Sequence, residues 1–278
     1  MIPSIYEKQF LPCAGLEKLG TILFLHGFGG TYQDNFSAAA LTRHFDYHAI
    51  NLPGHGDNAN KITRFDSSLY EYAQYIINYI ERSDMRDLTL IGHSLGGAVA
   101  GVAESKIRGR LSNLILINPL SQSITGVPGL EKIFFPDTID EVYDLCRYAY
   151  HNFDAEKMPP SFNEACQKTL CFQLDRREYL YGLYKMLVSP ETIELAEESI
   201  KNLKTRTLYI MGQYDRIVPI TRPRQLISGN KNIEEHIFEY SGHCPHNEES
   251  ESFAACIEDF VRRGKDSGLS ACSPPPFP

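Results

Sequence analysis

Leu88-Thr-Leu-Ile-Gly-His-Ser-Leu-Gly-Gly-Ala98 is a short apolar run that stops at a Gly-x-Ser-x-Gly turn and restarts with small, helix-compatible residues. The run reads as a buried strand over 88–92 and the stretch 95–103 as a helix, so Ser94 falls on a tight strand-to-helix turn. Such a turn projects the hydroxyl outward, and glycines at 92 and 96 leave room for the strained backbone and the crossing helix. Ser94 is therefore the candidate nucleophile. A serine is a poor nucleophile at its free pKa and needs an adjacent base.

Working outward, Thr21-Ile-Leu-Phe-Leu-His-Gly-Phe-Gly-Gly30 is an apolar strand ending in a glycine-rich loop that can turn backbone N–H groups inward. Acyl transfer through a tetrahedral intermediate needs two donors aimed at the developing oxyanion, and we assign them to the backbone amides of Phe28 and Leu95. Toward the C-terminus, Arg206-Thr-Leu-Tyr-Ile-Met-Gly-Gln-Tyr-Asp215 runs from a strand into a loop acid, and Ile237-Phe-Glu-Tyr-Ser-Gly-His243 repeats the arrangement with a histidine. In an open parallel sheet the strand ends form the ligand-binding edge, so Ser94, Asp215 and His243 can converge although far apart in sequence. An imidazole titrates near neutrality and suits the base; Asp215 would fix its tautomer. His246, three residues on, competes for the same role.

In this order the motifs His-Gly-Phe-Gly-Gly, Gly-His-Ser-Leu-Gly-Gly, Gly-Gln-Tyr-Asp-Arg-Ile-Val-Pro and Ser-Gly-His resemble those of the α/β-hydrolase superfamily over about residues 5 to 263. The segment Asn51-Leu-Pro-Gly-His-Gly56 is similar to the loop these enzymes place after their next strand. The resemblance implies the chain order nucleophile, acid, base. It favours His243, which directly follows Gly242 as the family's histidine does, over His246. It also implies a lid inserted over the nucleophile, and an esterase- or lipase-like activity.

Periodicity organises the rest into an α/β architecture, a mostly parallel central sheet flanked by helices with an inserted helical cap. Strands are expected at 5–10, 21–26, 47–52, 88–92, 113–118, 205–211 and 235–240, and helices at 68–81 and 252–263. The strands are near-continuously apolar, as burial on both faces requires. Between about 119 and 192 the alternation breaks, with helical patterns at 139–151, 161–174 and 176–187. We therefore expect core segments at 1–120 and 193–263, a cap at 121–192 and a disordered Pro/Gly/Ser-rich tail at 264–278. The cap is aromatic-rich; packing between its helices explains most of these rings and an apolar acyl or aryl pocket the remainder. Arg147, Arg176 and Arg177 offer guanidinium forks for a substrate carboxylate, although solvated helix faces explain them as well.

Composition sets limits. A chain of 278 residues that is 42% hydrophobic can bury one substantial core. A net charge of −8 gives no basic patch for nucleic acid or an anionic membrane surface. No stretch approaches the ~20 apolar residues of a membrane helix, and the first residues lack a signal-peptide pattern, so the expected compartment is the cytosol. Seven cysteines in no compact spacing read as free thiols; Cys244 stands out because it follows His243. His26, His55 and His93 read as loop-packing or hydrogen-bonding residues. Without His-Glu-x-x-His or Cys-x-x-Cys no zinc site is expected, and without a phosphate loop or dinucleotide turn no cofactor.

The leading expectation is a serine hydrolase cleaving carboxylic esters of small to medium acyl groups through an acyl-enzyme at Ser94. Its rivals use the same triad on thioesters or on C–C bonds of an anionic substrate, as C–C hydrolases and the menaquinone-pathway lyase do. A non-catalytic ligand-binding homologue is the remaining alternative, since fold does not establish activity.

Overall fold

The computed structural model describes residues 7–10, 15–33, 35, 37–56, 58, 68–158 and 160–266. Its strands are β1 (Glu7–Phe10), β2 (Gly20–Leu25), β3 (Phe45–Ile50), β4 (Leu88–His93), β5 (Leu111–Ile117), β6 (Thr207–Gly212) and β7 (Ile233–Phe238). They form one sheet in the order β1-β3-β2-β4-β5-β6-β7. Only β1 runs antiparallel, against β3; the other pairings are parallel. The C-terminal ends of β2, β4, β5, β6 and β7 consequently share one edge, with Leu25 opposite Gly92, His93 opposite Ile117 and Gly212 opposite Phe238.

Helices α1 (Ala38–Leu41), α2 (Leu69–Arg82) and α3 (Leu95–Ile107) follow β2, β3 and β4. Between β5 and β6 come α4 (Leu130–Phe134), α5 (Ile139–Ala149), α6 (Pro160–Asp175), α7 (Arg177–Leu187) and α8 (Pro190–Lys201). The chain closes with α9 (Thr221–Ile227), α10 (Pro245–Glu248) and α11 (Ser250–Asp266).

Because strand side chains alternate between faces, the continuous apolar runs feed two cores at once. Leu23, Leu25, Leu90 and Leu116 join Tyr72, Ile76 and Val99 from α2 and α3. Ile22, Phe24, Ile91 and Ile117 join Phe253, Ile257 and Phe260 from α11. Each such fully buried side chain contributes roughly 1.5–3 kcal/mol. Helix α2 starts at a capping box: the Ser68 hydroxyl accepts from the Glu71 N–H while Glu71 accepts from the Ser68 N–H.

Several sequence expectations need correction at their edges: β5 begins two residues before the expected 113 and β6 two residues after the expected 205. β3 and β7 lie two residues earlier than the patterns at 47–52 and 235–240 suggest; Leu52 and Tyr240 extend the alternation in sequence, but the chain leaves the sheet after Ile50 and Phe238. Helix α8, begun by the Ser189 cap and Pro190 at its first turn, spans the expected boundary at 192 and packs on α3, with Ala196 and Ile200 buried between them. Helix α11 carries Gly264 through Asp266, residues expected in the tail, because Gly264 leaves space for the Arg206 guanidinium and Lys265 reaches the Lys18 carbonyl. The remaining tail residues, 267–278, and Cys13 and Cys272 lie outside the described residues, as do 5 and 6 of the first expected strand. Among the described residues, no helix is long and apolar enough to cross a membrane.

Candidate active site

Ser94 caps α3 immediately after β4, with φ 52° and ψ −114°, a backbone conformation costly for a residue with a Cβ. The surrounding packing holds it there. Ser94 N–H donates to the Ile117 carbonyl at 2.9 Å, and the Ser94 carbonyl accepts from Ala98 and Leu120. The glycines on either side are needed for space: a Cβ at Gly92 would lie 2.4 Å from the Gly96 carbonyl oxygen, and one at Gly96 would lie 2.4 Å from that of Leu25.

Asp215 and His243 stand just beyond β6 and β7 and meet, His243 Nδ1 lying 2.7 Å from Asp215 Oδ2. The carboxylate is fully buried, and its other oxygen accepts from the Ile217 and Val218 N–H groups, each at 2.8 Å. With Nδ1 committed to the carboxylate, Nε2 is the ring nitrogen left for other chemistry. His243 and Ser94 line one cavity of about 380 Å³, and Phe28 lines it too. Leu95 is the first residue of α3, so its N–H has no acceptor within the helix. His246 also reaches this cavity, but its ring packs between His93 and Phe24, and the carboxylate contact belongs to His243.

The loop of Phe28 is tied down by the two neighbouring histidines. His26 Nδ1 donates to the Gly27 carbonyl and Nε2 accepts from Leu52 N–H. His55 repeats the pattern, donating from Nδ1 to Pro53 and accepting at Nε2 from Gly29 N–H. Each therefore holds one fixed neutral tautomer. Burial drives both away from protonation, His55 down to about 4 and His26 well below the usual imidazole value. His93, also pushed down by burial and then by His246 and His243, donates from Nε2 to the His243 carbonyl at 3.0 Å.

Asn118 went unread in the sequence. At the end of β5, with φ 40°, its Nδ2 donates to the carbonyls of Gly242 and His243 and its Oδ1 accepts from Gly212 N–H. One side chain thus binds the histidine loop to the end of β6. The only local sign is an Asn directly before Pro119 at a strand end. Glu248, likewise unread, accepts from Gly242 N–H and from His151 N–H, joining the histidine loop to the segment after α5; burial raises its pKa.

Helices α5 and α6 form the cavity's far wall, through residues such as Val142, Leu145, Ala149, Phe162 and Cys166. Of the aromatic residues between 134 and 184, Phe134, Tyr150 and Phe162 line the cavity; Phe134 stacks on Phe28 at 5.2 Å. The three arginines lie elsewhere: Arg147 pairs with Asp144, Arg177 with Asp137, and Arg176 lies over the Tyr179 ring. Among the described residues that line the cavity, none is lysine or arginine. Cys244 lines it and is buried. Among the described residues one group, His93, Cys244 and His246, brings metal-ligand atoms within 4.8 Å of one another. That outer separation exceeds the roughly 3.5 Å between ligands of a tetrahedral zinc, and the group joins two elements that no short spacing would reveal.

The protein is similar to several of known name. A Mycoplasma pneumoniae protein named "Putative esterase/lipase 1" is 24% identical over 257 residues, 89% of this chain and 93% of its own. The Escherichia coli 2-hydroxy-6-oxononadienedioate/2-hydroxy-6-oxononatrienedioate hydrolase is 25% identical over 257 residues, 87% of either chain. Among solved structures, a bacterial membrane phospholipase A superposes with a TM-score of 0.77 at 18% identity, over 95% of this chain and 88% of its own. The family model described as the alpha/beta hydrolase family matches residues 22–256, from β2 into α11, and with this sheet order the chain belongs to the alpha/beta hydrolase family.

Proposed function

We propose that the protein is a serine hydrolase that cleaves carboxylic esters of small to medium acyl groups. The observation that carries the reading is the 2.7 Å contact between His243 Nδ1 and a buried Asp215 carboxylate, at the rim of the cavity that Ser94 lines. In the proposed reaction Ser94 Oγ attacks the acyl carbon while His243 Nε2 takes its proton. The oxyanion accepts hydrogen bonds from the Phe28 and Leu95 N–H groups; each such donor is worth about 2.7–4 kcal/mol of barrier. His243 returns the proton to the departing alkoxide, which leaves as the alcohol. Water, giving its proton to His243, then attacks the acyl-enzyme, and the acid is released as Ser94 is reprotonated. The segment from 121 up to the start of α8 acts as the cap that shapes the acyl pocket, and the thiols of Cys146, Cys166 and Cys244, held in no disulfide, suit a cytosolic setting.

The same triad serves C–C hydrolysis, and the Escherichia coli relative carries such a name. A dianionic substrate there would meet no lysine or arginine among the described cavity-lining residues, which favours the uncharged ester. Hydrolysis of p-nitrophenyl acetate, butyrate and octanoate by the wild type and Ser94→Ala, with fluorophosphonate labelling alongside, tests the proposal. Turnover and stoichiometric labelling, both lost in Ser94→Ala, are expected. Labelling without ester turnover would move the assignment to thioester or C–C substrates, and neither would leave a binding protein.

A further inference from the structure

The cavity's two ends differ in chemistry, and α6 builds both. Phe162, Ala165 and Cys166 add to the apolar wall of α5, whereas Thr169 and Gln173 bring polar atoms to the cavity. Steps of three and four residues put all five on one helix face. At 1.5 Å per residue, Gln173 lies about 10 Å along the axis from Cys166. It lies against the loop of Phe28: its Nε2 is 3.0 Å from where a Cβ on Gly29 would stand. A side chain at position 29 would press on the amide, so glycine leaves it room.

Gln173 is 3% exposed, and its Oε1 has no hydrogen-bond partner. Leaving a buried acceptor unpaired costs folding free energy that an apolar side chain of the same length would not. Packing therefore does not explain a glutamine here; a ligand group that completes its hydrogen bonding does.

We propose that Gln173 binds a hydroxyl of the substrate, which makes the substrates uncharged esters bearing a hydroxyl near the scissile carbonyl, with their apolar part against Phe162 and α5. The inference rests on the ester-hydrolase reading above. The chemistry is selective. The amide both accepts at Oε1 and donates at Nε2, and a hydroxyl is both donor and acceptor, so the match survives an exchange of the amide's two ends. A carboxylate only accepts and would leave Oε1 unpaired; an ammonium only donates and would leave Nε2 unpaired. The hydroxyl can belong to the leaving alcohol or to the acyl group, and the two arms of the test separate these sources.

The experiment compares kcat/KM within two matched pairs: 2-hydroxyethyl butyrate against propyl butyrate, and methyl 3-hydroxybutyrate against methyl 3-methylbutanoate. The wild type should prefer the hydroxylated member of one pair by about tenfold. Gln173→Met, similar in shape but apolar, should erase that preference, keep turnover of the unhydroxylated member within about threefold and melt no lower than the wild type. Gln173→Glu, which keeps an acceptor and loses the donor, should weaken the preference and gives a second reading if the methionine variant folds poorly. Turnover of the esters with no preference in either pair, or a preference retained in both variants, overturns the inference. Failure on all four esters together with absent fluorophosphonate labelling of Ser94 overturns the ester reading, and the inference with it; active ester hydrolysis distinguishes the two failures.

Discussion

Asn118 Nδ2 lies 2.9 Å from the His243 carbonyl oxygen while Asn118 Oδ1 accepts from Gly212 N–H, so a single amide sets the distance between the histidine loop and the end of β6. Asp215 stands three residues past Gly212, on that same strand end. The imidazole's position relative to its carboxylate therefore depends on a residue that touches neither ring nor carboxylate.

Asn118→Asp keeps the acceptor for Gly212 and tolerates the positive φ, but replaces the donor to His243 with an oxygen that repels that carbonyl. The expected result is a fall of about 10- to 100-fold in kcat with KM little changed, since the loss is one of geometry at the proposed base. Steady-state kinetics with p-nitrophenyl butyrate check it, and unchanged kcat would mean that the loop is held by other contacts.

Gly96 presses on the backbone of β2. A Cβ there would sit 2.4 Å from the Leu25 carbonyl oxygen and 2.6 Å from that of His26, neither able to withdraw without breaking the sheet. Gly96→Ala should lower unfolding free energy by about 3 kcal/mol or more, or yield no soluble protein. Gly101→Ala on the same helix meets the Ser199 hydroxyl at 3.0 Å and otherwise only ordinary contacts such as Ile200 at 3.7 Å, and should be far milder. Urea unfolding of the pair gives the comparison; equal stabilities would show that α3 shifts freely against the sheet.

These residues show where sequence is informative. Ser94 and Asp215 of the candidate site are legible because each follows an apolar run, where a polar residue after a strand is a local signal; His243 follows the more polar β7 and is marked by Gly242 before it. Gly92 and Gly96 are legible because the strained turn and the crossing helix need them within two residues of the serine. Asn118 and Gln173 leave no such mark: their roles depend on partners such as His243 and Gly29, which only the folded sheet brings near. The wall formed by α5 and α6 was legible as amphipathic helix, yet the pattern over 161–174 marks a face without saying that a cavity lies opposite Cys166 and Gln173. Strand ends at Ile50 and Phe238 were placed late because side-chain polarity does not record where the backbone leaves the ladder.

Acid should destabilise the fold through its buried histidines. An unfolded histidine takes up a proton near pH 6.5, whereas burial holds His55 neutral until about pH 4. The Arg176 charge disfavours charging of His55 further, and His55 in turn disfavours charging of His26. Between those values the unfolded chain binds the extra proton, so the stability His55 contributes is complete above 6.5 and drains away as pH falls toward 4. At about 1.4 kcal/mol per unit this amounts to about 3 kcal/mol, with His26 and His93 acting in the same direction. Urea denaturation at pH 7, 5.5 and 4.5 should show the decline, and His55→Gln should flatten part of it; a stability constant over this range would contradict the neutral pair.

Asp215→Asn separates the loop-holding contacts of Asp215 from its proposed part in catalysis. The Ile217 and Val218 N–H groups can still donate to the amide oxygen, so the loop should hold and the melting temperature change little. The amide nitrogen would then face His243 Nδ1 and donate to it, placing the ring proton on Nε2. In that tautomer the imidazole cannot accept the Ser94 proton. A loss of about 10⁴ in kcat is expected, with fluorophosphonate labelling of Ser94 slowed to match, because that reaction needs the same deprotonation. Full labelling by the folded variant would mean that Asp215 does not set the tautomer and that another group supplies the base's orientation.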